Sequence, residues 1–183
     1  MEAAFVILLN SDLYNYVRRL QTDICKLSGA KETLKIEPHI TLKYAFNVKN
    51  IKTVEKYFDE IAKTTIPFKI EINGINLFPT QVFFVDVTKN QALTNFHLKV
   101  LRDLKEKFSV KPSEFEGKTF HFHITLAYKD IVEGAFQKIK KYLQNKKPKF
   151  RFTVKQLGLY LRLNSEENWF LYKISEAGHL KGD

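Results

Sequence analysis

Cysteine is almost missing from this chain: its 183 residues hold one, Cys25, so no internal disulfide can form. Cys25 falls on an apolar helix stripe and reads as a packed free thiol, which fits a cytosolic compartment. Glycine (7) and proline (5) are scarce, which argues against long disordered or low-complexity segments. Long apolar runs are lacking too. Ala3–Leu9 is too short to span a membrane, lacks the basic start and small-residue cleavage site of a signal peptide, and reads as a first strand. Acidic residues are in deficit, 20 against 30 Lys and Arg, for a net charge of +10. A basic protein of this size attracts polyanions, of which nucleic acid is the commonest; general solubility charge is the plainer alternative.

What is present is a core. The chain is 44% hydrophobic and 14% aromatic, with 16 Phe, enough for one domain or two small fused lobes. Phe5–Leu9 reads as a continuous apolar strand. Leu13, Tyr16, Val17, Leu20, Ile24 and Leu27 then recur on one helix face, capped by Ser11 or Asp12 and ended at Ser28-Gly29-Ala30. A polar connection, Lys31–Glu37, leads into an alternating strand from His39. A helical stripe follows within Val48–Lys63, then an alternating strand from Phe68 towards Leu77.

Val82–Val87 is a second apolar strand, and Asn90–Phe108 a second long helix. The polar stretch Ser109–Lys118 leads into another alternating strand, then a helix over Val132–Leu143 and a basic run, Asn145–Lys149. Phe150–Leu163 and Asn168–Ile174 read as two strands joined by the turn Asn164–Glu167, and residues 177–183 as a frayed tail. The order strand, helix, strand, helix, strand thus occurs twice, at an offset near 84 residues. The expectation is an α+β fold: a bilobal pseudo-twofold duplication of that unit, with mostly antiparallel sheets around a central cleft. The lobes would come from about residues 1–80 and 81–176.

One tetrapeptide marks the duplication. His39-Ile40-Thr41-Leu42 recurs as His123-Ile124-Thr125-Leu126. With five His and 12 Thr in the chain, chance supplies about 0.3 of a His-x-Thr triplet. On a strand, residues two apart share a face, so His39 with Thr41, and His123 with Thr125, point one way while the Ile and Leu residues point into a core. A duplicated pair of structural histidines is the bland reading. Across a cleft, two imidazoles permit concerted acid-base work: a neutral one deprotonates the attacking oxygen and a protonated one supplies the leaving oxygen. In-line displacement at phosphorus needs groups on opposite sides, as a twofold-related pair provides. Thr41 and Thr125 would donate to the non-bridging oxygens. No metal or cofactor is required.

Pro38-His39-Ile40-Thr41-Leu42 and Phe122-His123-Ile124-Thr125-Leu126-Ala127 resemble the paired motifs of the two-histidine (2H) phosphoesterase superfamily, closest to the bacterial 2′-5′ RNA ligase and cyclic phosphodiesterase branch. Leu77-Phe78-Pro79, Val82–Val87 and the helix from Asn90 are similar to that branch's central unit. The resemblance implies metal-independent chemistry on RNA ends, opening 2′,3′-cyclic phosphates or acting on 2′-5′-linked oligonucleotides; a cytoplasmic monomer is expected. It implies His39 and His123 as acid and base and Thr41 and Thr125 as phosphate ligands. Where the bacterial branch often has Arg, this chain has Tyr128-Lys129; either Lys129 supplies that charge or Tyr128 stacks on a base.

Further candidates follow from position. Lys43 lies two residues past Thr41 and would touch phosphate, or else stand solvated at the strand end; Tyr44 is expected in the core. His121 shares the face of His123 and would line the pocket rim or accept a hydrogen bond, against a plain surface role. His97, in a helix, and His179, in the tail, carry no functional expectation, and Lys138–Lys149 is read as a solvated face before an RNA track. Two rival functions remain: a non-catalytic RNA- or nucleotide-binding module using the same basic cleft, and a metal site built on His121 and His123, which lacks neighbouring Cys or carboxylate partners.

Overall fold

The computed structural model describes residues 1–178. Thirteen elements follow in order among them: β1 (Glu2–Leu8), α1 (Ser11–Ser28), a 3₁₀ turn (Glu32–Lys35), β2 (His39–Asn47), α2 (Ile51–Thr64), β3 (Lys69–Phe78), β4 (Val82–Val87), α3 (Gln91–Phe108), β5 (His123–Ala127), α4 (Ala135–Leu143), β6 (Lys149–Thr153), β7 (Gln156–Arg162) and β8 (Phe170–Glu176). The fold is α+β, with two four-stranded antiparallel sheets in the orders β2-β1-β7-β8 and β5-β4-β3-β6. Among the described residues no helix is long and apolar enough to cross a membrane.

Local chemistry sets the helices. In α1, Leu13, Val17, Leu20 and Ile24 are buried at helical spacing, and Gly29 ends it at φ 80°, where its N–H reaches the Cys25 carbonyl. Asn50 and Asn90 cap α2 and α3 by accepting from Lys52 and Leu93 N–H. α4 begins at Ala135 rather than at Val132, because Gly134 stands before it at φ 80° and leaves Val132 exposed.

The two sheets do not divide the chain at residue 80. β3 joins the second sheet, while β7 and β8 return to the first. The expected single strand Phe150–Leu163 is therefore two strands: the chain leaves one sheet at Thr153 and enters the other at Gln156, with Val154 fully buried at the crossing. Ala177 and Gly178 are not free either; their N–H groups donate to the Lys155 and Ala62 carbonyls at 2.8 and 2.9 Å. His179 and the rest of the expected tail lie outside the described residues.

Both motif strands, β2 and β5, stand at sheet edges and pack beside one another. Edge strands carry unpaired backbone groups that must be satisfied or covered. Here the helices do it crosswise. α1 follows β1 yet packs on β5, and α3 follows β4 yet packs on β2. Gln21 of α1 donates to the Thr125 carbonyl at 2.9 Å, Thr33 donates to the Leu126 carbonyl at 3.1 Å, and His97 of α3 bonds the Leu42 carbonyl at 2.8 Å. The exchange ties the two halves together behind the motifs.

Candidate active site

Alternation on the edge strands sorts the motif residues as their sequence dictates. Ile40, Leu42, Ile124 and Leu126 are fully buried, and His39, Thr41, His123 and Thr125 are half-buried on the other face. The latter four line one cavity of about 370 Å³.

The two histidines are anchored alike. His39 Nδ1 lies 2.7 Å from the carbonyl oxygen of Glu37, and His123 Nδ1 lies 2.7 Å from that of His121. A carbonyl only accepts, so each Nδ1 carries the hydrogen and each Nε2 is the atom left for chemistry. Burial holds both imidazoles below their ordinary pKa, and for His39 the positive charge of a protonated His123 adds to the shift. The backbone bond to Glu37 opposes the shift at His39, and the bond to His121 opposes it at His123.

A second layer holds the Glu37 anchor. Arg18 donates to the Ile36 carbonyl at 3.0 Å, the Thr33 carbonyl at 3.3 Å and the Glu37 carboxylate at 2.8 Å, and Tyr14 bonds the same carboxylate. Burial alone would raise the Glu37 pKa, but the bonds from Tyr14 and Arg18 outweigh it and hold the carboxyl below its usual range. Tyr14 and Arg18 are four apart on α1, which is the one sequence signal for this clamp.

Two sequence expectations are exchanged by a bulge. The pairing of β1 with β2 shifts register between Phe5 and Val6, so Val6 faces Thr41 but Phe5 faces Lys43. One residue is inserted and the alternation reverses. Lys43, expected at the phosphate, turns inward: its side chain is 1% exposed and pairs with the equally buried Glu116 at 2.8 Å. Tyr44, expected in the core, lines the cavity instead. His121 contributes its carbonyl to His123, but its ring turns out of the cavity and bonds Asp86 at 2.8 Å. His97 is wholly buried, with Nε2 accepting from Gly117 N–H at 3.1 Å and Nδ1–H donating to Leu42.

Tyr128 and Lys129 both line the cavity. Lys129 sits at φ 66°, in a three-residue turn closed by Asp130 N–H to the Tyr128 carbonyl at 2.8 Å. Such a turn is strained for a non-glycine residue. Asp130 secures it by accepting from Lys31 and Glu32 N–H at 2.6 and 3.0 Å. The Lys129 ammonium lies 5.2 Å from the Tyr128 ring centre.

Several lining residues had no sequence signal. Tyr160, on β7, places its ring 5.4 Å from that of His39. Arg162 is fixed by Glu2 and lies 4.9 Å from the ring of Trp169, the chain's one tryptophan; the β7–β8 turn, Ser165–Asn168, completes that wall. The turn itself was legible, but not which sheet end it would overhang. Among the described residues no group of three or more His, Cys, Asp or Glu is placed to hold a metal ion.

A sequence profile of the 2′-5′ RNA ligase superfamily matches residues 9–166. No curated protein matches the sequence. Solved structures do: a Thermus thermophilus protein (TM-score 0.65, 13% identity) and the apo form of E. coli LigT (TM-score 0.64, 13% identity), each alignment covering 97% of this chain and 98% of the other. LigT complexed with 3′-AMP aligns over the same shares with a TM-score of 0.62 and 13% identity. At such identities the likeness is one of fold.

Proposed function

The chain belongs to the 2′-5′ RNA ligase superfamily, and from that premise we propose that it is a metal-independent phosphodiesterase for RNA-type phosphodiesters, either 2′,3′-cyclic phosphate ends or 2′-5′-linked oligonucleotides. The observation that carries the reading is the pair of imidazoles in one cavity, each pinned through Nδ1 to a carbonyl two residues earlier and each accompanied by a threonine. That E. coli LigT has been solved with 3′-AMP and with ATP supports a nucleotide ligand.

In the reaction proposed, one neutral Nε2 takes a proton from water as its oxygen attacks phosphorus. The other, protonated, gives its proton to the 2′ or 3′ oxygen as that P–O bond breaks. Thr41, Thr125 and Lys129 donate to the non-bridging oxygens, where charge builds. Tyr44, Tyr128 and Trp169 offer aromatic faces to the base. All of these groups come from one chain, so a monomer suffices.

The test is a panel of the four 2′,3′-cyclic mononucleotides with 2′-5′ and 3′-5′ dinucleotides, each with and without EDTA. Turnover of a cyclic phosphate or a 2′-5′ linkage, undiminished by EDTA, is expected. Loss on chelation would remove the metal-free scheme, and binding without turnover would favour the nucleotide-binding module.

The pH dependence has a definite sign. Both histidines are held below about 6.5 in the free protein, so the state with one protonated and one neutral imidazole is most populated on the acid side of that value. The kcat/KM profile therefore peaks below about pH 6.5. A bound phosphate anion favours protonated imidazole, so the kcat profile lies at higher pH than that of kcat/KM. Steady-state kinetics over roughly pH 5–8 checks both points; a kcat/KM still rising through neutrality would contradict the buried pair.

A further inference from the structure

A second groove, of about 380 Å³, opens beside the cavity, and the mechanism above uses none of its side chains. Its walls include Lys89, Lys118, His121, Asp86, Thr88 and Asn73. Two lysines lie at its surface, and His121, bonded to Asp86 at 2.8 Å, stands on its wall.

The groove and the cavity meet at the second motif. His123 faces the cavity and His121 faces the groove, with ring centres 6.5 Å apart. Phe78 stands edge-on to both, 5.0 Å from His123 and 5.3 Å from His121, and Phe84 lies 5.2 Å from each, so the same two aromatic rings back both histidines. His121 thus links the second motif to the groove that Lys89 and Lys118 also line.

We propose that this groove binds the phosphate neighbouring the scissile one, so that the substrate is a single-stranded oligoribonucleotide in preference to a mononucleotide. The assignment of the scissile phosphate rests on the phosphodiesterase reading; the binding surface does not. Lys89 and Lys118 act as point charges towards the backbone, which makes the contact independent of base sequence.

The test is salt-dependent binding of a labelled single-stranded oligoribonucleotide, read by fluorescence anisotropy in a His39→Ala background that prevents turnover. Each single-strand phosphate neutralised adds about 0.7 to the steepness of log K against log salt, so Lys89→Gln/Lys118→Gln, which gives up the one phosphate held there, flattens the plot by about 0.7. Lys138→Gln/Lys141→Gln on α4 removes the same charge elsewhere and leaves the slope unchanged. In the active protein, Lys89→Gln/Lys118→Gln keeps kcat/KM for a cyclic mononucleotide within about twofold while weakening KM for the oligonucleotide. Equal flattening by both lysine pairs would reduce the effect to net charge and overturn the subsite. So would an unchanged slope, or an equal loss on the mononucleotide. If the wild-type protein turns over nothing but the slope difference persists, the subsite stands and the phosphodiesterase reading falls.

Discussion

Alanine at either His39 or His123 lowers kcat/KM on any substrate the protein turns over by about 10²–10⁴, the usual worth of one general acid or base. The reason is geometric. Each ring is aimed by a 2.7 Å bond from Nδ1 to a carbonyl fixed by the fold, at Glu37 and at His121. A replacement side chain inherits the strand but not the proton carrier. Acid and base act in one displacement, so the double variant falls little below the worse single one. Thr41→Val and Thr125→Val keep shape and lose a hydroxyl, and each costs at most about 10²–10³ in kcat. All four residues are half-buried on edge strands, so circular dichroism and Tm stay close to wild type. Arg18→Ala adds a control for positioning. It frees the 33–37 segment without touching substrate, so kcat falls, and because the Glu37 carbonyl bond raises the His39 pKa against burial, loosening it moves the pH profile to lower pH. Full activity in His39→Ala or His123→Ala would end the two-histidine mechanism outright.

How far the sequence carried depends on what kind of fact was asked of it. Strict alternation around Ile40 and Ile124 is a local property, and the burial of Ile40, Leu42, Ile124 and Leu126 follows it. The duplication was legible for the same reason: similar strings make similar strands. The division of the chain into sheets was not, because β7, which carries β8 with it, joins β1 through pairing between residues 150 to 160 apart in sequence. In the string 150–163, Val154 continues the alternation of Phe150 and Phe152, so it reads as strand and not as the crossing; only the paired polar residues Lys155 and Gln156 interrupt the pattern. The bulge after Thr41 was illegible too. Lys43 and Tyr44 both fit a strand, and only pairing with Phe5 decides which one faces the cavity. Arg162 and Trp169 reach the cavity through a hairpin whose turn residues name the turn but not its surroundings.

Lys43→Met separates the sequence expectation from the structure, and its largest effect is on stability. Had Lys43 stood at the phosphate, its loss would cut kcat/KM and leave Tm alone. The structure calls for the reverse. The Glu116 carboxylate is fully buried, accepting from Lys43 Nζ at 2.8 Å, from Tyr44 N–H at 2.7 Å and from Ser113 N–H at 2.7 Å. Removing the cation strands a charge that is costly to bury, and breaking such a pair typically costs about 3–5 kcal/mol. The two backbone donors remain, which places the loss at the low end of that range. At about 2–4 °C per kcal/mol for a domain of this size, Tm falls by about 10 °C. Lys43→Met with Glu116→Gln recovers part of the loss, because the orphaned charge is gone; the recovery stays partial because Tyr44 and Ser113 N–H bond different carboxylate oxygens and an amide offers only one. The same carboxylate holds the 109–118 loop against β2, beside the His97 bond to Gly117, and thereby sets the backbone of Tyr44 at the cavity wall. Kinetics near room temperature, well below either Tm, should then show KM raised and the pH profile of kcat unmoved, since neither histidine anchor passes through Glu116. A lost kcat with an unchanged Tm would put Lys43 back at the phosphate and the bulge in the wrong place.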